Sequence, residues 1–373
     1  MNRSSQTPSQ PGPGAARAVA VGAAASVLAA REAAGAELDA LLEKIPPKHA
    51  DEAVAICRQL AAGGPDTVEK LVKAVGNEFG SQEGVKAKYA LHALVVWSAR
   101  PGADEHRKMV ASALAGQLAA DHSSELKAFI VRHLQWCGRA EDVPALAGLL
   151  GDDRLCEPAT QALLALGGKA ATDALRGALP KARGKRRATI LKALGRQRDP
   201  ASVAAARREV GVKDGDLRLV AYYALGNIGK ADGIGAALEA AGMEAPFERS
   251  QAVDAALLLG RRLAEGGQAD EAMAVFRKLL AAADGPEKAH ERSAALHEMA
   301  LAGGTKAVGD VLAAMGSGEL RISAAAARTA VKLAALLAKD KPKQARQLLL
   351  KVRTSTREQA VIQRADSLLG ELG

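Results

Sequence analysis

The sequence predicts an all-α fold, a right-handed α-α superhelical solenoid of stacked helix pairs, on three observations. The first is composition: of 373 residues, 48% are hydrophobic but only 2% aromatic, with Ala and Leu dominant, which favours closely packed helices over sheets. The second is a pattern that returns three times. Ala165-Leu166-Gly167, Ala193-Leu194-Gly195 and Ala224-Leu225-Gly226 stand 28 and 31 residues apart, each closing an apolar helical run that follows a shorter one. A period of this size means that each unit buries its apolar face on its neighbours, so the domain is a stack and not a globule around one centre. The third is register. In the second helices, over 157–166, 185–194 and 216–225, Ala162, Ile190 and Ala221 share a column, Ala165, Ala193 and Ala224 another, and Leu166, Leu194 and Leu225 a third. That is the i, i+3, i+4 stripe of a helix packed on one side. The glycine past each stripe is expected to supply a left-handed C-cap.

These residues resemble a known family, the short bacterial HEAT-like repeats of the phycobilisome-lyase type, within the HEAT and armadillo class. Arg187 and Arg218 fall in the second-helix column where such repeats usually carry Arg, and Asp199-Pro200 opens a first helix as their Asp-Pro often does. The resemblance covers about 90 residues, best over 143–245, and it implies a scaffold fold used for many ends rather than one activity.

In chain order, residues 1–34 read as a tail and an Ala-rich segment. Met1 to Gly14 hold three prolines among Ser, Gln and Gly, a disordered composition. Ala18–Ala30 is uncharged between Arg17 and Arg31, and Ala34-Gly35-Ala36 offers a small-x-small site, so the run fits a secretory signal as well as a plain Ala-rich helix. Export therefore stands beside a cytoplasmic location, which composition slightly favours. No other stretch approaches the roughly 18 apolar residues of a membrane helix, so no membrane insertion is expected.

Residues 35–142 give degenerate repeats. Asp66-Thr67-Val68-Glu69 and Ser123 mark helix starts. Trp97 and Trp136 end apolar helices and read as core or end-sealing residues, with His92 and His133 as structural histidines. Cys57, Cys137 and Cys156 are widely spaced and read as small buried fillers, with no disulfide, zinc or haem pattern. Past the HEAT-like segment, 246–286 resembles a tetratricopeptide unit through Leu259-Gly260, Gly267, Ala272, Phe276 and Pro286, with Leu263 in place of an aromatic. Residues 287–373 return to Ala/Leu helix pairs and end in a more charged cap.

Charge carries the functional content. The chain is +9 overall, and residues 169–198 alone hold ten basic side chains against the single acid Asp173, so this span equals the whole net charge. Lys185, Lys192 and Arg196 lie at i, i+7 and i+11 of the second helix, one stripe. HEAT resemblance implies that second helices line the concave side. The expected function is thus a non-catalytic scaffold presenting a concave basic surface to an acidic protein partner, with Lys185, Lys192 and Arg196 as contacts and Arg187 and Arg218 as structural arginines and rim contacts. A solvated basic face that only aids solubility is the plain alternative. Three cations at a helix start also oppose its dipole by a few tenths of a kcal/mol each.

Nucleic acid is the runner-up for the same groove, but near the belt only Tyr222 and Tyr223 could stack on bases. HEAT-like DNA glycosylases would need an aromatic cluster that this span lacks. His290-Glu291 and His297-Glu298 resemble the tandem pairs of the di-iron enzyme deoxyhypusine hydroxylase, yet seven residues set the imidazoles about 10.5 Å apart along one helix, too far to share a metal. A polar helix face accounts for them better. No Walker A loop, Gly-x-Gly-x-x-Gly turn or His-Glu-x-x-His helix occurs, so neither catalysis nor a cofactor is expected.

Overall fold

The computed structural model describes residues 37–76, 81–233, 235–236, 239, 245–283 and 285–372. The expected tail and signal-like run over 1–34 lie outside the described residues. Helices joined by short turns make up those residues, with no strand among them. They form two compact units that divide between Leu149 and Leu150, inside the segment expected to begin at residue 143.

The first unit contains α1 (Ala50–Ala62), α2 (Gly64–Val75), α3 (Gln82–Ser98), α4 (Asp104–Gln117), α5 (Ser124–Cys137) and the short α6 (Val143–Ala147). Helices α1, α3 and α5 pack in one row, α2, α4 and α6 in a second, and the rows pack on each other. α2 shows why: Val68, Leu71, Val72 and Val75, at i, i+3, i+4 and i+7, are all fully buried. Ser123 caps α5 as expected, its Oγ accepting the Leu126 N–H at 3.2 Å. The three cysteines are free and buried, and burial pushes the Cys137 thiol up to about 12. One expectation fails. Trp136 is 63% exposed, because Leu126, Ile130, Val131 and Leu134 already fill the buried stripe of α5 and leave position 136 on the other face.

The second unit contains α7 (Cys156–Leu166), α8 (Gly168–Ala178), α9 (Gly184–Arg196), α10 (Val203–Glu209), α11 (Gly215–Ile228), α12 (Pro246–Glu265), α13 (Ala269–Ala282), α14 (Ala289–Gly303), α15 (Val308–Met315), α16 (Leu320–Leu337), α17 (Pro342–Ser355) and α18 (Gln359–Glu371). Helices α7, α9, α11, α12, α14, α16 and α18 follow one another in a single row, each packed on the next. The shorter helices pack against this row in turn, as α10 does on α11 and α15 on α16. The fold is an all-α solenoid of stacked helices, as the repeat period predicts.

The repeat glycines act differently from the expected C-caps. Only Gly167 follows its helix with positive φ, at 66°. Gly195 and Gly226 are buried inside α9 and α11. A Cβ on Gly195 would lie 2.7 Å from the Ala224 Cα, and one on Gly226 would lie 2.8 Å from the Ala255 carbonyl oxygen. In the second and third triplets the glycine is therefore a contact device: it lets the next second helix approach backbone to backbone, on an alanine of the following repeat. α9 ends beyond it, with the Arg198 N–H bonded to Gly195 O and the Asp199 N–H to Leu194 O, a Schellman turn with Arg198 at φ 54°.

Candidate interaction face of the second helices

The basic span resolves into two populations. Arg176 donates to both carboxylate oxygens of Asp199 at 3.0 and 2.6 Å, and Lys169 pairs with Asp173. Asp199 is buried, which opposes its charge, but the bonds from Arg176 and Ser202 outweigh that and hold its carboxyl below the usual range. Arg186 faces Asp153 at 2.9 Å and donates to Gly151 O. Arg187 donates to Glu209 and, at 2.8 Å, to Leu179 O. Two of the three cations that oppose the dipole of α9 are therefore neutralised by their own fold. The stripe differs: Lys185, Lys192 and Arg196 are exposed, and among the described residues none has a carboxylate partner.

Arg187 belongs to a longer series. It is the fourth residue of α9, as Arg218 is of α11, Arg249 of α12 and Arg292 of α14. Arg218 pairs with Glu248 and donates to the Val212 and Lys213 carbonyls at 2.8 and 2.9 Å. Arg249 forms a fork on Glu291 at 2.9 and 2.7 Å, both groups buried, and Arg292 pairs with Glu319 while donating to Gly285 O. Each guanidinium thus ties a second helix to a carboxylate further along the chain, and those of Arg187, Arg218 and Arg292 also to the segment before it, whereas Arg249 reaches the Ala282 carbonyl at the end of α13. Hydrogen bonding to Glu248 and Glu291 raises the pKa of Arg218 and Arg249 above the ordinary arginine value. The rim contact expected of Arg187 and Arg218 meets this engagement: their donors already serve the stack, and their side chains are only 17% and 20% exposed.

The signal for Arg249 was present, 31 residues after Arg218 as Arg218 is 31 after Arg187, but the Ala-Leu-Gly triplet has decayed to Ala255-Ala256-Leu257 and hid the fourth copy. α12 accordingly sits in the row of second helices, while Gly260 packs under the Phe276 ring of α13. The His-Glu pairs resolve in the same terms. Glu291 is held by Arg249 and Glu298 by Arg261, and among the described residues no group of three His, Cys, Asp or Glu could hold a metal. No described helix is long and apolar enough to cross a membrane.

Between α7, α9 and α11 the exposed stripe borders a groove of about 280 Å³. Lys192 and Arg196 stand on one wall with Thr189, Leu164 and Glu157 come from α7, and Tyr223 comes from α11, its ring centre 5.9 Å from the Lys192 Nζ. In the same register as Lys185 and Lys192, the neighbouring helices expose Glu157, Asp216 and Asp254. The positive stripe on this face is one helix wide.

No family model and no curated protein matches the chain. Among solved structures it is similar to an engineered protein at 18% identity, covering 90% of this chain and 98% of that one with a TM-score of 0.38. A chain from a study of the phosphorylation switch controlling the interaction between cadherin and beta-catenin gives 13%, 90% and 94%, with a TM-score of 0.37. Importin beta in a polyethylene glycol condition gives 12% identity and a TM-score of 0.47, covering 90% of this chain and 56% of that one. At these values the likeness carries no argument about the chain, and the fold rests on the packing described above.

Proposed function

We propose that the chain is a non-catalytic HEAT-like scaffold of the short bacterial type, continued by a tetratricopeptide-like pair at α12–α13, that binds an acidic protein partner on the second-helix face of α7, α9 and α11. One observation carries the reading. On a helix whose Arg186 and Arg187 are neutralised internally, Lys185, Lys192 and Arg196 are left exposed without carboxylates, on one stripe beside a groove. Three cations on one stripe that make no ion pair within the chain are open to the carboxylates of an acidic partner. Arg187 and Arg218 serve this function indirectly, by holding the helices that present the face. The one-helix width of the stripe favours a protein over nucleic acid, whose phosphates need a continuous basic track.

The test is affinity capture from native lysate with the wild-type chain and with Lys185→Glu, Lys192→Glu and Arg196→Glu combined. Loss of a discrete protein partner at unchanged helicity and melting supports the reading. Retention of that partner, or recovery of nucleic acid alone in a nuclease-sensitive manner, overturns it.

A further inference from the structure

We infer that the groove between α7, α9 and α11 is an anchor site for a short extended segment of the form acid–apolar–acid, an inference that rests on the reading above and narrows it. Lys192 and Arg196 are four residues apart on α9, so their stems leave the helix about 6 Å apart along its axis. In an extended peptide, side chains at i and i+2 point the same way about 7 Å apart. Two carboxylates with one residue between them therefore match the two cations, each free of an internal carboxylate. The intervening residue points the other way, across the groove to the α7 wall, where Leu164 is half-buried, while the ring of Tyr223, 37% exposed, flanks Lys192 beside the carboxylates.

The acids around the groove limit what fits. Glu157 lines it and Asp216 stands exposed on α11, the two flanking Lys185 in register, so beyond Lys192 and Arg196 a longer row of negative charge would meet two acids for one cation. A long polyanion is disfavoured by the same geometry that accepts a pair of carboxylates. Charge complementarity thus commits the site to a brief acidic motif in a protein.

The probe is the fluorescein-labelled peptide Gly-Ser-Glu-Leu-Glu-Ser-Gly, followed by anisotropy on the full chain. It is compared with the reordered Gly-Ser-Glu-Glu-Leu-Ser-Gly, which has the same charge and composition, and with a single-stranded 20-mer oligonucleotide. The Glu-Leu-Glu peptide should bind, the reordered one more weakly, and Lys192→Glu with Arg196→Glu should cost about tenfold or more, as loss of charge-assisted hydrogen bonds does. Tyr223→Ser should weaken binding by a smaller factor, and Lys181→Glu, an exposed cation of the same span off this face, should leave it unchanged. Equal binding of the two peptides, equal loss in Lys181→Glu, tighter binding of the oligonucleotide, or no peptide binding overturns the inference. If lysate capture still depends on Lys192 and Arg196 while the peptide does not bind, the groove motif falls and the face reading stands.

Discussion

The two units build the same row of helices and hold it by different means. In the second unit, arginines at the fourth position of α9, α11, α12 and α14 reach carboxylates of later segments, so successive helices are joined by ion pairs. In the first, Arg107, also the fourth residue of its helix, donates to neutral acceptors, the Cys137 and Gly138 carbonyls at 2.9 and 3.0 Å, where the C-terminal end of α5 welcomes a cation. The exposed stripes diverge likewise. α9 shows cations, whereas α3 and α5 show Val85, Tyr89, Val96 and Trp136. What unites the units is the buried Ala/Leu stripe; the outward stripe is free to take either chemistry, because the packing does not use it.

Four substitutions test this contrast. Arg249→Ala leaves the buried Glu291 without its fork and should cost about 3–5 kcal/mol in chemical denaturation, the usual cost of orphaning one member of a buried pair. A loss below about 1 kcal/mol, the scale of an exposed pair, would mean that the ladder does not hold the stack. Gly226→Ala should cost about 1–3 kcal/mol, since its methyl would meet backbone atoms of Ala255 that cannot swing aside. A neutral result would show that α11 and α12 are less closely packed.

The third uses pH to separate the units. His133 is buried, bonds through Nδ1 to the Phe129 carbonyl at 2.8 Å, and packs against Phe129 and His92 at 4.4 and 5.5 Å between ring centres. Burial lowers its pKa below 6.5, helped by the charges of His92 and Arg132 and partly offset by the Phe129 bond. The unfolded chain then takes up a proton that the folded chain refuses, so stability falls as pH drops below 6.5. Asp199, with its carboxyl held below 3.8, loses its contribution only as pH falls through that lower range. Protection of first-unit amides against exchange, taken relative to the unfolded chain at each pH, should therefore fall between pH 6.5 and 5, and His133→Gln should abolish that fall. An unchanged slope in the variant would locate the titration elsewhere.

The smallest effect is a gain. Arg198 sits at φ 54°, where a side chain costs about 1 kcal/mol that glycine avoids, and its pairing with Glu265 at 3.7 Å is half-exposed. Arg198→Gly should stabilise by about 0.5 kcal/mol. A loss would show that this pair matters more than the turn.

The repeat period and the Ala/Leu columns were enough to read the fold, because close helix packing leaves its spacing in the sequence. The stripe of Lys185, Lys192 and Arg196 was legible for the same reason, as helical periodicity. What they face was not: the carboxylates that neutralise Arg187, Arg218 and Arg249 lie 22, 30 and 42 residues away, at intervals set by loop length and not by any helical period. Gly195 misled because a glycine that ends a helix and one that admits a neighbouring backbone look alike in sequence. Trp136 misled because a large aromatic near a helix end reads as core until the buried stripe beside it is filled.

Two sets of cations on the same row of helices divide the work, and partner capture and melting temperature measured together on two variants separate them. Lys185→Glu with Lys192→Glu and Arg196→Glu should lose the partner and keep the wild-type melting temperature. Arg218→Gln with Arg249→Gln should melt several degrees lower and, well below that melting point, still capture the partner. The opposite crossover, or equal loss of both properties in both variants, would show that the two sets of cations are not separate in function.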